Sequence, residues 1–416
     1  MPVEPPKAFQ WDGSAPKRLK HSAAKHNLLR AYIRAYLDIL TNVPFRRELR
    51  LTVFDGFAGG GTFEDQGAIV SGTPLIVAEE IIAAHQRRAN RDMKFIIDFW
   101  AVEKKRSNFQ ALEFEIAHRR LEDDFPGLIH LRHGTFQKPL LEALQKLKSV
   151  RGGSGRSIFI FDQTGYGQVD LEIIRNIFAM FERPEVILTF AVSWLADLAR
   201  ADADFLKRVA SLGIREGELR ELLEAKEDWS PRYGAQKWLR SYIQKYVGAP
   251  HDTSFFLHSE ESHKDLWLLH FSRQPRARDA MLEVHYKFAN QAHFYGKEGF
   301  EMLGYNPTID DNQCRLFGFT DQDASRSTDA LLDDIPKAMT DRGGSAGIPA
   351  QALFARELND ATVTFEMFKK GAVAARSAGL VEIYTAEGRL RPAAKQISRD
   401  DVLKLPSQST IWQLLK

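Results

Sequence analysis

The run LTVFDGFAGGGTF (51–63) constrains this chain most: an apolar stretch ends in Asp55, and three consecutive glycines follow almost at once. Leu51, Thr52, Val53 and Phe54 carry no charge and do not alternate cleanly, the pattern of a strand buried on both faces. Gly59, Gly60 and Gly61 permit positive φ and let backbone N–H groups approach a ligand with no Cβ in the way. In open α/β sheets ligands bind off the carboxyl ends of such strands. Geometry alone explains glycines in a turn, but three in a row after a buried strand favour a binding loop. No Gly-Lys-Ser/Thr closes the loop, which excludes a P-loop. Counting from Gly59, the sixth position of a dinucleotide fingerprint is Glu64 rather than glycine, and Asp55 precedes the turn; both disfavour NAD.

The surrounding pattern alternates. A helix over 24–40 presents Leu28, Leu29, Tyr32, Ile33, Tyr36, Leu37 and Leu40 at helical spacing. After the glycine loop, Thr73-Pro74 reads as an N-cap with proline at the first helical position, opening a helix from 75 to 85 or beyond. Strands over 95–102, 129–132, 157–161 and 186–191 are separated by helices over 107–121, 139–147 and 171–181. Five strands alternating with helices predict a parallel sheet covered on both faces. A charged helical insertion follows over 196–247, then strands 253–258 and 266–271 joined by SEESHKD as a hairpin, and a helix over 278–290. Residues 320–334 are polar and predict a linker. Helices over 348–358 and 365–378, with Thr364 as N-cap and Gly379 as C-cap, precede a ribbon formed by 380–384 and 389–392. That is the plan of a winged helix-turn-helix. The expected organisation is a basic leader and helix (1–45), an α/β domain (46–310), a linker (311–335) and a winged helix (336–416).

Two further strand ends carry acids. Glu103 closes the second strand, where a carboxylate accepts both hydroxyls of a ribose; its 48-residue separation from Asp55 is long against the usual ~20. Asp162 closes the fourth strand within FIFDQTGYG (159–167), four residues before Tyr166. A self-capped turn at Asp162 and a surface role for Glu103 are the plain alternatives. Thr135, after the third strand, reads first as part of an ordinary loop, with a weak adenine contact as the alternative. The single cysteine, Cys314, excludes an internal disulfide framework and fits a reducing, cytoplasmic setting. Scattered histidines (His258, His263, His270, His285, His293) fit no metal-ligand spacing, so no metal is expected. No apolar run is long enough for a membrane span. Net charge is only +2, yet Lys7, Lys17, Arg18, Lys20, Lys25 and Arg30 face only Glu4 and Asp12 in the first thirty residues. That cluster suits phosphates or a solvated leader. At the other end, Lys369, Lys370 and Arg376 on the second helix, with Arg389 and Arg391 on the ribbon, supply cations for DNA or RNA phosphates.

The glycine loop resembles motif I of S-adenosylmethionine (SAM) methyltransferases, in the Asp-x-Phe-Ala-Gly-x-Gly form found in DNA and RNA enzymes. The resemblance implies SAM as cofactor and a class I, Rossmann-like sheet. It also implies a cofactor loop of Asp55, Phe57, Gly59 and Gly61, with Asp55 by the aminoacyl end. Amino-methyltransferases acting on bases carry Asp-Pro-Pro-Tyr or its variants at the fourth strand end. Asp162 and Tyr166 take the acceptor-holding and base-stacking positions, but Gln163 and Thr164 replace the prolines and Gly165 is inserted. Over nearly its whole length the chain is similar to the three-Cys-motif partner proteins, in KHNLLRAYIRAYLDIL (25–40), FDGFAGGGTF, SGTPL (71–75), FDQTGYG and LWLLHFSRQPRARDAM (266–281). That similarity implies a bacterial or phage protein with a partner resembling radical-SAM proteins, whose three cysteines are the partner's own. Two functions therefore compete: SAM-dependent methyl transfer to nucleic acid, and a partner-dependent SAM-binding adaptor. Methylation of a small molecule or protein ranks third.

Overall fold

A computed structural model divides the chain into two compact units, Met1–Ala280 and Met281–Lys416. It describes residues 9–406 apart from 44–45, 90–92, 150–154, 228–230, 260–263, 289–291, 294–297, 301–315, 318, 342–346, 358, 360 and 392–396. Glu4, Lys7, His263, Cys314 and the domain boundary expected near residue 310 lie outside the described residues.

The first unit opens with α1 (Lys20–Thr41), β1 (Glu48–Asp55), β2 (Thr62–Asp65), β3 (Ala68–Ser71), α2 (Thr73–Arg87), β4 (Lys94–Glu103) and α3 (Arg106–His118). It continues with α4 (Leu121–Asp124), β5 (Gly127–His133), α5 (Gln137–Ser149), β6 (Arg156–Phe161), α6 (Leu171–Met180) and β7 (Arg183–Phe190). The helical insertion comprises α7 (Val192–Leu198), α8 (Ala203–Val209), α9 (Glu216–Glu227) and α10 (Pro231–Val247), before β8 (His251–Ser259) and β9 (Lys264–Ser272). The division into units falls within α11 (Pro275–Phe288).

Seven strands form one sheet in the order β5-β4-β1-β6-β7-β9-β8. The first five are mutually parallel, and β9 runs antiparallel to both β7 and β8. The expected parallel sheet closed by a hairpin is present, with the second hairpin strand placed beside β7. Strand order reverses between β1 and β6, and the crevice above that switch point is where such sheets bind ligands. Leu51 to Asp55 are all buried, as a central strand requires. The stripe expected on the first helix, Leu28 to Leu40, is the buried face of α1.

The sequence reading needs correction at two places in this unit. The stretch after the glycines is not only loop, because Thr62–Asp65 and Ala68–Ser71 pair as a hairpin. Gln66 and Gly67 form its turn with positive φ, which a Gln-Gly pair tolerates. The cap of α2 is Gly72, with Thr73 already helical.

Near the amino end of β7 and the carboxyl end of β9 a polar trio is buried. The Tyr32 hydroxyl on α1 donates to Glu185 on β7, and His270 on β9 lies 3.1 Å from Tyr32 and 3.2 Å from Glu185. Burial and the Glu185 carboxylate push the Tyr32 phenol upward, so it stays a donor.

The second unit holds a short bridge of β10 (Ala292–His293) and β11 (Leu316–Phe317), then α12 (Asp321–Thr340), β12 (Ile348–Pro349), α13 (Ala350–Glu357), α14 (Phe365–Ser377), β13 (Glu382–Tyr384) and β14 (Val402–Lys404). The segment read as a linker is therefore mostly the helix α12. Its inward stripe is Asp323, Ser327, Leu331, Ile335 and Met339. The first two are polar, which hides the period, and a capping box between Thr320 and Asp323 starts the helix. Gly371 in α14 is explained by this neighbour, since a Cβ there would lie 2.5 Å from the Leu331 Cβ. Thr364 caps α14 as expected, accepting from the Met367 N–H at 3.2 Å, and Gly379 follows the helix at φ 73°. The ribbon differs in pairing: β13 pairs mainly with β14, and residues 389–391 return against it through a single bridge, Tyr384 to Leu390. The three-stranded sheet has the order β12-β14-β13.

Tyr32→Phe leaves Glu185 buried without its hydroxyl donor. Urea unfolding should show a loss of about 1–3 kcal/mol; an unchanged midpoint would contradict the trio's contribution.

Candidate functional site

Three carboxylates crowd the carboxyl edge of the sheet, at the ends of the adjacent strands β4, β1 and β6. Asp55 ends β1 and is completely buried. Its Oδ1 accepts the Phe57 N–H at 3.1 Å, while Oδ2 is buried with no hydrogen-bond partner. Burial raises its pKa to about 8, against the Phe57 N–H, with Asp162 and Glu103 adding like charge. Asp55 is therefore mostly protonated at neutral pH.

Glu103 ends β4 and shapes the loop. One oxygen accepts the Gly59 N–H at 2.9 Å and the other the Lys105 N–H at 2.6 Å. Carboxylate oxygens have about four lone-pair sites between them, so each retains one for a further donor. The loop is tied to both neighbouring strands, Gly56 N–H to Ile160 C=O at 3.0 Å and Ala58 N–H to Val102 C=O at 2.9 Å. Gly59 and Gly61 have φ of 65° and 86°, which a side chain would strain.

The leader adds a contact that the sequence did not reveal. Trp11 is buried on the glycine loop, and a Cβ on Gly60 would overlap its indole. Its ring N–H donates to the Thr62 C=O at 2.6 Å and its backbone N–H to Asn108 Oδ1 at 3.2 Å. Arg18 pairs with Asp65 in the β2–β3 hairpin, and the Arg18 N–H donates to the Glu64 C=O at 2.8 Å. Residues 11–18 are thus bound to the loop, and Arg18, Lys25 and Arg30 are in ion pairs with Asp65, Asp162 and Glu79/Glu80. Arg18, Lys25 and Arg30 are thus held by carboxylates, while Lys17 and Lys20 are exposed.

Asp162 ends β6. Its Oδ2 accepts from Lys25 on α1, and its Oδ1 accepts the Thr189 hydroxyl of β7 at 2.8 Å. Burial alone would raise this carboxyl, but the Lys25 ammonium and both hydrogen bonds hold it below the usual range. Next to Lys25, burial pushes His26 down to about 3, so its imidazole is neutral. Gln163, standing where a proline was expected, organises the following loop: its Oε1 accepts the N–H groups of Gln168 at 2.9 Å and Val169 at 3.1 Å. Tyr166 is half-buried against the core, 6.4 Å from Phe190.

Asp55, Phe57, Gly59, Gly61, Glu103 and Asp162 are thus gathered on neighbouring strand ends. Phe57 packs 5.4 Å from Phe136. Thr135 is exposed beyond β5 and joins no hydrogen bond of this cluster. In the second unit, Lys369 pairs with Glu366 and Arg391 with Asp401 at 2.8 Å. Lys370 and Arg389 are exposed, and Arg376 is half-buried on α14.

Neither a protein family nor a curated protein sequence matches this chain. Solved structures do. Cofactor-bound Rv0187 from MTB is 13% identical over 61% of this chain and 81% of its own, with a TM-score of 0.29. An O-methyltransferase candidate from Klebsiella pneumoniae is 13% identical over 62% and 92%, at 0.28. The N-terminal domain of human METTL16 in complex with SAH is 12% identical over 59% and 70%, at 0.25. Scores this low carry no weight for activity; the fold assignment rests on the strand order.

Because the folded pKa of Asp55 lies above its unfolded value, its favourable contribution is complete below about pH 4 and is lost as pH rises through about 8. Asp55→Asn removes this dependence. In the free protein the variant should melt above wild type at pH 8.5 by a few degrees and show a smaller difference at pH 5; parallel pH profiles would contradict the assignment.

Proposed function

We propose that the first unit binds SAM at the carboxyl edge of β1 and β4, and that the chain is a SAM-dependent methyltransferase-like protein acting on nucleic acid. One observation carries the reading: the buried, unpartnered oxygen of Asp55 beside a glycine loop at the switch point of the sheet. The aminoacyl ammonium of SAM supplies the donor and the charge that this oxygen lacks, and it would draw the Asp55 proton off. The remaining lone pairs of Glu103 suit a ribose diol, and positive φ at Gly59 and Gly61 holds the turn that brings the loop backbone beside the strand ends. The residues present therefore fit the cofactor, which brings an electrophilic sulfonium methyl group. This chain's contribution is orientation: Asp55 and Glu103 fix two ends of the cofactor, and Asp162 and Lys25 stand on the neighbouring strand end where an acceptor would be held.

The second unit supports the nucleic-acid part. Its helix, turn, helix and three-stranded antiparallel sheet suit a winged helix, with Lys370 and Arg389 as the exposed cations for phosphates. The adaptor reading, with docking of a radical-SAM-like three-cysteine protein, draws on a different observation: Asp162 is already paired.

Calorimetric titration at pH 7 tests the cofactor. SAM should bind and NAD should not. In buffers of different ionisation enthalpy the SAM titration should release close to one proton, because Asp55 begins protonated. Asp55→Asn should abolish the proton release and weaken SAM by about tenfold or more. Binding of NAD in place of SAM would overturn the reading.

A further inference from the structure

The carboxylate that follows β6 is paired with a cation from outside the sheet. Asp162 does not present an empty carboxylate, since Lys25 and Thr189 each donate to one of its oxygens. Lys25 comes from α1, which precedes the sheet, so its ammonium reaches the end of β6 from outside the alternating strands and helices. An ammonium has three N–H donors, and Asp162 is the partner recorded for Lys25 among the described residues. The accessible groups at this position are thus N–H donors of a cation beside the remaining lone pairs of a carboxylate.

That arrangement discriminates between acceptors. An exocyclic amine of a base donates N–H groups toward Asp162, but its lone pair is delocalised into the ring and gives Lys25 no good acceptor. A hydroxyl accepts an N–H from Lys25 through one lone pair and donates its proton toward Asp162, so it satisfies both groups. The features that would hold a base are also used elsewhere. Gln163 ties down the backbone of 168–169, and Tyr166 packs on the core beside Phe190.

Resting on the nucleic-acid reading above, we propose that Lys25 and Asp162 together hold a hydroxyl acceptor, which within a polynucleotide is the 2′-hydroxyl of RNA. The acceptor oxygen forms the new C–O bond with the methyl carbon, and the S–C bonding pair stays on sulfur. The hydroxyl proton passes to the Asp162 carboxylate and then to water. A carboxylate suffices as base because an oxygen gaining a methyl group becomes strongly acidic.

The test compares the full chain with Lys25→Met, which keeps the aliphatic stem and removes the ammonium. Binding of a mixed-sequence 20-nucleotide RNA, the same DNA and the 2′-O-methyl RNA is measured by fluorescence anisotropy, and SAM affinity by calorimetry. Wild type should prefer RNA over both analogues by about tenfold, the effect of one charge-assisted hydrogen bond. Lys25→Met should keep SAM affinity and lose that preference. Equal wild-type affinity for the three strands overturns the hydroxyl assignment while SAM binding leaves the cofactor reading standing; loss of SAM binding in wild type fails the cofactor reading itself. Labelled methyl groups, after digestion to nucleosides, should lie on ribose, and label on a base amine would overturn the proposal.

Discussion

Three carboxylates end neighbouring parallel strands, and the sheet cannot bring them together ionised and unaided. Each is accommodated differently. Asp55, fully buried, keeps its proton to about pH 8. Glu103 remains at the edge by accepting two backbone N–H groups, and in doing so fixes the glycine loop. Asp162 is neutralised by Lys25. A cofactor with one ammonium and one diol, and an acceptor with one hydroxyl, match what these three solutions leave open.

The same constraint explains why the amino-terminal segment belongs to the site. The cation that pairs with Asp162 comes from outside the sheet: α1 brings Lys25 to it while its stripe of Leu28 to Leu40 is buried. Ahead of α1, Trp11 covers Gly59 and Gly60, so these glycines serve packing. The lack of a Cβ there makes room for the indole, a role beyond the turn geometry and ligand approach that the sequence suggested.

Much of the architecture was legible because it follows local periodicity. The alternation of strands and helices, the α1 stripe, the hairpin after the insertion, and the Thr364 and Gly379 ends of α14 were readable from residue type and spacing. What escaped depends on distant partners. Trp11 has no local pattern, and its hydrogen bonds reach Thr62 and Asn108. Lys25 was visible as one cation among six, but its partner lies 137 residues away. The helix α12 resembled a linker because Asp323 and Ser327 occupy buried positions of its stripe, where the capping box satisfies Asp323. Gln163 resembled a defect in a known motif and is instead the residue that holds its loop. The family resemblance drew attention to the glycine loop and strand ends, whereas the hydrogen-bond partners of individual residues depend on distant neighbours.

The account rests on Asp55 meeting the cofactor's ammonium. A crystal structure of the protein soaked with S-adenosylhomocysteine tests it most directly, because that molecule carries the same aminoacyl and ribose groups. The amino nitrogen should lie within hydrogen-bond distance of Asp55 Oδ2, with the ribose hydroxyls on Glu103. Density for the ligand elsewhere, with Asp55 Oδ2 still without a partner, would contradict it.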